Sequence, residues 1–167
     1  MRSDLKAVLL LTLALLAGTG LAHSQDEGCR YCGMFLSHSG SSWMELHGLG
    51  KDPVGVCSLH CAAIHMALHP KATPSRILVK DFLSGDLIDA DRAHWVLGGD
   101  IPGVMTQRAK WAFQHPADAR QFLKDHGGTL VSFEEALRAA LQDMRTDTLL
   151  IQQRRRSAAR GATPPDR

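Results

Sequence analysis

The sequence has no apolar segment long enough to cross a membrane. Its longest apolar run, Ala7 to Ala17, falls short of the roughly 20 residues that a transmembrane helix needs. The charges nearly cancel, with 19 Lys and Arg residues against 17 Asp and Glu residues. Because the excess positive charge lies mostly in the last 14 residues, 154–167, the rest of the chain is mildly acidic, which argues against a nucleic-acid-binding domain. We therefore expect neither a membrane span nor a nucleic-acid partner.

Motifs that carry catalysis are also missing. There is no nucleophile elbow, no phosphate-cradling glycine loop, no His-Glu-X-X-His helix and no clear carboxylate pair. Thioredoxin-like redox chemistry requires a Cys-X-X-Cys pair at a helix start, which lowers the pKa of the first thiol. Here the pair Cys29 and Cys32 precedes Gly33-Met34-Phe35-Leu36, which is typical of a turn and a strand. The sequence thus indicates a binding protein and not an enzyme.

The first 24 residues have the layout of a secretory signal peptide. Two basic residues precede the apolar run, and a stretch of small residues that ends at Ser24 follows it. We predict cleavage near Ala22 or Ser24 and export to the periplasm. The residues directly before Cys29 are Asp26-Glu27-Gly28, which is not a lipobox, so no lipid anchor is expected.

Residues 25–153 make up about one domain, followed by an Arg- and Pro-rich tail, 154–167, which cannot bury an apolar face and is predicted to be disordered. The pattern predicts an α+β fold of two small modules, each strand-strand-helix-strand, with approximate halves 29–83 and 84–141. A terminal helix over 133–153 is expected to begin at a capping box formed by Ser132 and Glu135. The segment 110–113 fits a strand or a helix.

Cys29 and Cys32 have the spacing that brings two sulfur atoms close enough for one disulfide or for two bonds to one soft metal ion. Met34 follows two residues later and adds a thioether. Thioethers bind monovalent copper and are almost never zinc ligands. The alternative for Met34 is a core methionine.

A second pair, Cys57 and Cys61, lies where a helix is predicted to begin, so the spacing of four places both thiols on one helix face. Together the two pairs have the form of a four-thiolate Zn(II) site. A disulfide in each pair, or buried inert thiols, would also fit an exported chain. Met105 lies in a Gly- and Pro-containing loop, where side chains are often placed for contact.

Taken together, these motifs resemble the NosL family of copper chaperones, accessory proteins of nitrous oxide reductase. The resemblance runs from about Cys29 to Leu141 and includes the motif at 29–34, Val79-Lys80-Asp81-Phe82-Leu83-Ser84-Gly85 and Gly103-Val104-Met105.

The resemblance implies a periplasmic Cu(I)-binding chaperone that supplies nitrous oxide reductase or its copper-assembly machinery. It also implies a fold similar to that of organomercurial lyase. By position, Cys32, Met34 and Met105 match the sulfur motifs of the family, and Cys29 is an additional candidate ligand. Two features depart from the pattern: most members are lipoproteins, and the pair Cys57 and Cys61 is not a general family feature. A zinc-stabilised or redox-active dithiol protein is the alternative function.

Overall fold

The computed structural model describes residues 28–161, so the predicted signal peptide lies outside the described residues. Seven strands and four helices follow one another along this part of the chain. In order they are α1 (Leu36–Ser39), a 3-10 turn (Gly40–Ser42), β1 (Met44–His47), β2 (Val54–Val56), α2 (Leu59–Leu68), β3 (Arg76–Lys80), β4 (Leu87–Asp89), β5 (His94–Leu97), β6 (Lys110–Phe113), α3 (Pro116–His126), β7 (Thr129–Val131) and α4 (Phe133–Gly161).

The strands form two antiparallel sheets, one with the order β2-β1-β3-β4 and one with the order β6-β5-β7. The predicted α+β class and the repeated strand-strand-helix-strand order are confirmed, and segment 110–113 is a strand. The predicted division into halves at residue 84 does not follow the sheets, because β4 pairs with β3 and so belongs to the first sheet. The tight turn at Ser84-Gly85-Asp86 reverses the chain direction, so that β4 runs antiparallel to β3.

Alternation along β1 shows how the first sheet packs. Met44 and Leu46 are fully buried, whereas Glu45 and His47 point away from the core. Nε2 of His47 lies 2.9 Å from Oε2 of Glu45. The larger core contains these residues with Trp43, Trp95 and side chains of α2 and α4. A smaller core lies between the second sheet and α3 and includes Trp111, Phe113 and Phe122.

Helix α4 begins as the sequence predicts and ends later than predicted. The amide of Ser132 donates to Glu135 Oε2 at 2.7 Å, and the amide of Glu135 donates to Ser132 Oγ at 3.2 Å, which confirms the capping box. The prediction of disorder is wrong for residues 154–161, which continue the helix. Arg, Ala and Gln favour helix without needing an apolar partner, and the first proline of the tail is Pro164. Over residues 28–161, no helix combines the length and the apolar character of a membrane span.

Asp81 links the two sheets. Its Oδ2 accepts hydrogen bonds from the amides of Leu83 and Ser84 at 3.1 and 2.7 Å, in the turn that follows β3. Its Oδ1 accepts the amide of Gln114 at 2.7 Å, at the end of β6. Burial alone would raise the pKa of Asp81, but the hydrogen bonds from these amides outweigh it and hold the pKa below its ordinary value.

We expect Asp81→Asn to lower the free energy of unfolding by about 2 kcal/mol, because the new amide group faces backbone N–H donors. A depressed pKa makes this contribution complete above the unfolded pKa of about 3.9 and removes it as the pH falls through the folded value. Urea unfolding at pH 7 and pH 3 measures both effects: the difference from wild type should shrink at pH 3. The exposed Asp86→Asn is the control, and an equal loss in both variants would contradict the role of Asp81.

Candidate metal centre

The four cysteines converge on one point from three segments of the chain. Cys29 and Cys32 flank a turn at the start of the described chain, Cys57 follows β2, and Cys61 lies in the first turn of α2. Their four Sγ atoms all lie within 4.8 Å of one another. The Sγ of Cys57 is 3.5 Å from that of Cys32 and 3.6 Å from that of Cys61, and all four residues carry free thiols. We call this group the thiol cluster.

Three hydrogen bonds hold the turn of residues 29–33 in place. The amide of Gly33 donates to the carbonyl of Cys29 at 2.8 Å and closes the turn, with Gly33 at a φ of 71° that favours glycine. The amide of Arg30 donates to the carbonyl of Gly55 at 3.1 Å, which ties the turn to β2. The Tyr31 hydroxyl lies 2.6 Å from His65 Nδ1 on α2. The turn is therefore anchored to both elements that carry the second cysteine pair.

The second pair is placed by the start of α2. Ser58 is the N-cap in an extended conformation, so Cys57 lies just before the helix and Cys61 just inside it. The Ser42 hydroxyl lies 2.7 Å from the carbonyl oxygen of Cys57, to which it donates. The positive end of the helix dipole faces this region, which favours negative charge on the sulfur atoms.

Burial and charge make the thiol cluster a place for a cation. Cys29, Cys57 and Cys61 are buried, whereas Cys32 is partly exposed. Hydrogen bonds from the other two buried thiols lower the pKa of Cys29, and the hydrogen bond to Cys29 is the largest cause of the raised pKa values of Cys57 and Cys61. Ionisation of one thiol therefore opposes ionisation of its neighbours, and a bound positive ion favours the release of further thiol protons.

Met105 lies beside this cluster. A groove of about 190 Å³ is lined by Cys32, Cys61, Met105 and His60 on one side and by residues of α4 on the other, namely Thr148, Ile151, Gln152 and Arg155. Among the described residues, Met105 is the one non-glycine residue with a positive φ, 58°. We call this cleft the methionine groove.

The loop that carries Met105 is tied to α4 by charged groups. Asp147 Oδ1 accepts the amide of Gln107 at 3.0 Å. Asp143 accepts two hydrogen bonds from Arg108, at 2.8 and 3.0 Å, and one from Lys110 Nζ at 2.7 Å. The second oxygen of Asp147 lies 3.5 Å from Nδ1 of the buried His60, a contact too long for a strong hydrogen bond.

A sequence model of the NosL family matches residues 21–141. The chain belongs to the NosL family. Among solved structures it is similar to the copper chaperone NosL from Shewanella denitrificans, with a TM-score of 0.54 and 24% identity over 65% of this chain and 88% of that one. At that identity the likeness shows the shared fold.

Among curated proteins, the chain is 27% identical over 118 residues to the HTH-type transcriptional repressor CutR of Bacillus subtilis (strain 168). The match covers 71% of this chain and 60% of the repressor. The NosL-family chain thus spans somewhat over half the length of this relative.

The four cysteines come together at one point, and Met105 lines the adjoining methionine groove with Cys32 and Cys61. Met34 packs against the larger core, and its carbonyl accepts the amide of Cys29 at 2.8 Å. It is not among the residues that line the methionine groove. Its side chain is half-buried, and its role as a ligand stays a prediction.

Sequence reasoning missed the groups that position the site. Tyr31 lies within the Cys-X-X-Cys motif, and His65 lies one helical turn after Cys61. Their spacing from the cysteines could have indicated that both contact the site. No such spacing marked Asp143 and Asp147. A helix surface that is charged along its whole length does not indicate which carboxylates form hydrogen bonds with a distant loop.

We expect Cys32 to react with a maleimide reagent before the other three cysteines in the reduced, metal-free protein. The pKa of Cys29 is lowered, which favours its reaction, but its burial at 3% exposure blocks the reagent. If a local opening that costs about 3 kcal/mol must precede the reaction, the buried thiols react roughly a hundredfold more slowly than Cys32. Peptide mass spectrometry after timed labelling measures the order, and Cys32→Ser should abolish the fast phase. Equal rates at all four positions would contradict the packing described.

Proposed function

We propose that this protein is a metallochaperone that binds Cu(I) through the thiol cluster and the Met105 thioether and passes it to an acceptor protein. The observation that carries the proposal is the convergence of four sulfur atoms within 4.8 Å of one another, next to a groove that presents a fifth. Membership of the NosL family, and the similarity to a structure named as a copper chaperone, support it.

The donor set favours a soft monovalent ion. Thiolate and thioether ligands select Cu(I), and no imidazole or carboxylate belongs to the group of four. A bound cation also offsets the repulsion between neighbouring thiolates, because the thiols can release protons when the ion enters.

Transfer is ligand exchange without a redox step. The partly exposed Cys32 and the Met105 side chain both face the methionine groove, so an acceptor ligand that enters there meets the least enclosed donors first. A thioether is a weak ligand that needs no proton to leave. The acceptor thiolate or imidazole therefore displaces Met105, then Cys32, whose sulfur takes up a proton as the copper departs.

The finer assignment is delivery to nitrous oxide reductase or its copper-assembly machinery in the periplasm. Family membership supports the target, and the signal-peptide layout of residues 1–24 supports the compartment. The protein acts in this scheme by binding and release, with no catalysed bond change.

Structural zinc binding is the second candidate. In a tetrahedral Zn(II) site with Zn–S bonds of about 2.3 Å, the sulfur atoms lie about 3.8 Å apart. The observed separations of 3.5 and 3.6 Å are close to that edge length. Met105 would then have no role as a ligand, which separates the two candidates.

We expect Met105→Leu to lower the Cu(I) affinity about tenfold, or by about 1.4 kcal/mol, because leucine keeps the volume of methionine but has no sulfur. Competition with a chromogenic Cu(I) chelator under anaerobic conditions measures the change. Met66→Leu is the matched control, since Met66 is half-buried on α2 and does not line the methionine groove. Unchanged affinity in Met105→Leu would remove Met105 from the site.

Metal selectivity and delivery are tested together. The reduced protein loaded with Cu(I) is expected to transfer the ion to apo nitrous oxide reductase, measured by the visible copper spectrum of the enzyme after separation. Free Cu(I) held by the chelator at the same activity is the control for unassisted loading. Tight copper binding without transfer would contradict nitrous oxide reductase as the acceptor but would leave the proposal of Cu(I) binding in place. Purification with one zinc per chain, together with unfolding by a zinc chelator, would favour the structural zinc site.

A further inference from the structure

A second groove, of about 880 Å³, shares no lining residue with the methionine groove. It runs between the loop that joins β1 to β2 and the end of α2. Among its lining residues are His65, on α2, and His69, the C-cap residue of that helix four positions later, together with Arg30, Lys51 and Asp52. We call it the histidine groove. Neither the proposed copper transfer nor the predicted sulfur ligands use it.

His65 offers a buried nitrogen that has no partner. The ring is 6% exposed, and its Nδ1 is 2.6 Å from the Tyr31 hydroxyl. Its Nε2 is buried and makes no hydrogen bond. A buried polar atom without a partner costs about 1 to 3 kcal/mol, so a ligand that satisfies Nε2 is favoured. A hydrogen bond from Nδ1–H to an oxygen is also what fixes a metal-binding histidine with its Nε2 lone pair free.

The two rings are spaced for one metal ion. Their centroids lie 4.7 Å apart and their planes meet at 43°. A metal at about 2.1 Å from an imidazole nitrogen is about 3.2 Å from the ring centroid. Two such rings, at metal–ligand angles from 90° to tetrahedral, have centroids roughly 4.5 to 5.2 Å apart. The observed centroid separation falls inside this range.

The charges around the groove define what kind of site this is. The positive charges of Arg30 and Lys51 disfavour a bound cation, and the negative charge of Asp52 favours one. Neutral imidazole is the form of histidine that binds metals, and the unpartnered Nε2 of His65 is the atom that would act as the ligand. Within residues 28–161 no acidic or thiol group joins the two histidines as a third protein ligand.

We propose that His65 and His69 form a second metal site, separate from the thiol cluster, which binds a borderline divalent ion through two imidazole nitrogens. Among divalent first-row ions, Cu(II) binds nitrogen ligands most tightly, so it is the ion for which the site has the highest affinity. Tyr31 is a positioning residue, because its hydroxyl holds the His65 ring in the orientation that points Nε2 to the ion. This site does not depend on the proposed copper transfer.

The test uses the full chain with its thiols filled first. Ag(I), which prefers sulfur and gives no electron paramagnetic resonance signal, is added to saturate the thiol cluster, and the excess is removed. One equivalent of Cu(II) is then added at pH 7.5. We expect an axial Cu(II) spectrum with splitting from two imidazole nitrogens, and Cu(II) affinity is measured by competition with glycine.

Variants decide whether the signal belongs to these residues. His69 is exposed, so His69→Gln should fold normally, lose one nitrogen from the splitting pattern and bind Cu(II) at least about tenfold more weakly. Tyr31→Phe should weaken binding about tenfold and keep the two-nitrogen pattern. The control is His126→Gln, in the other module, which should bind as wild type. A Cu(II) spectrum from buffer complexes alone, or a His69→Gln affinity equal to that of wild type, would overturn the proposal.

Discussion

Four sulfur atoms within 4.8 Å of one another, three of them on buried residues, impose one electrostatic constraint on the structure. Negative charge on one sulfur atom raises the pKa of its neighbours, so the group gains further negative charge more readily when a cation enters. The surroundings answer this constraint. The turn at 29–33 is anchored to β2 and α2, the start of α2 directs its positive end toward the sulfur atoms, and one cysteine stays partly open. The cluster is therefore anchored on its inner side and partly exposed at Cys32.

Much of the fold follows from the sequence, and the reasons are local. The capping box at Ser132, Pro116 at the first position of α3 and the turn at Ser84-Gly85-Asp86 each fix a boundary through backbone chemistry within a few residues. The length of α4 was underestimated, because the absence of an apolar face says nothing about the intrinsic helix preference of Arg, Ala and Gln. The approximate boundary at residue 84 separates β4 from the sheet to which it belongs, because the hairpin pairs β4 with β3.

The candidate site was predictable in its residue types and less so in its geometry. The spacing in each cysteine pair indicated proximity within a pair, but joining the pairs depends on Arg30 meeting Gly55 and on Tyr31 meeting His65, contacts between segments 25 and 34 residues apart. Met105 was recognisable as a candidate ligand because it lies in a Gly- and Pro-containing loop. Nothing in its neighbourhood along the sequence indicated that Asp143 and Asp147, some 40 residues later, hold that loop against α4.

The left-handed backbone at Met105 has a consequence for how the position tolerates change. At a φ of 58° an ordinary side chain costs about 1 to 2 kcal/mol relative to glycine, and asparagine is also better tolerated than methionine. Stability alone would therefore favour a small residue there. The hydrogen bonds from Arg108 and Lys110 to Asp143 tie the loop of Met105 to α4. The chain thus gives up stability at this position and keeps a sulfur atom in the lining of the groove.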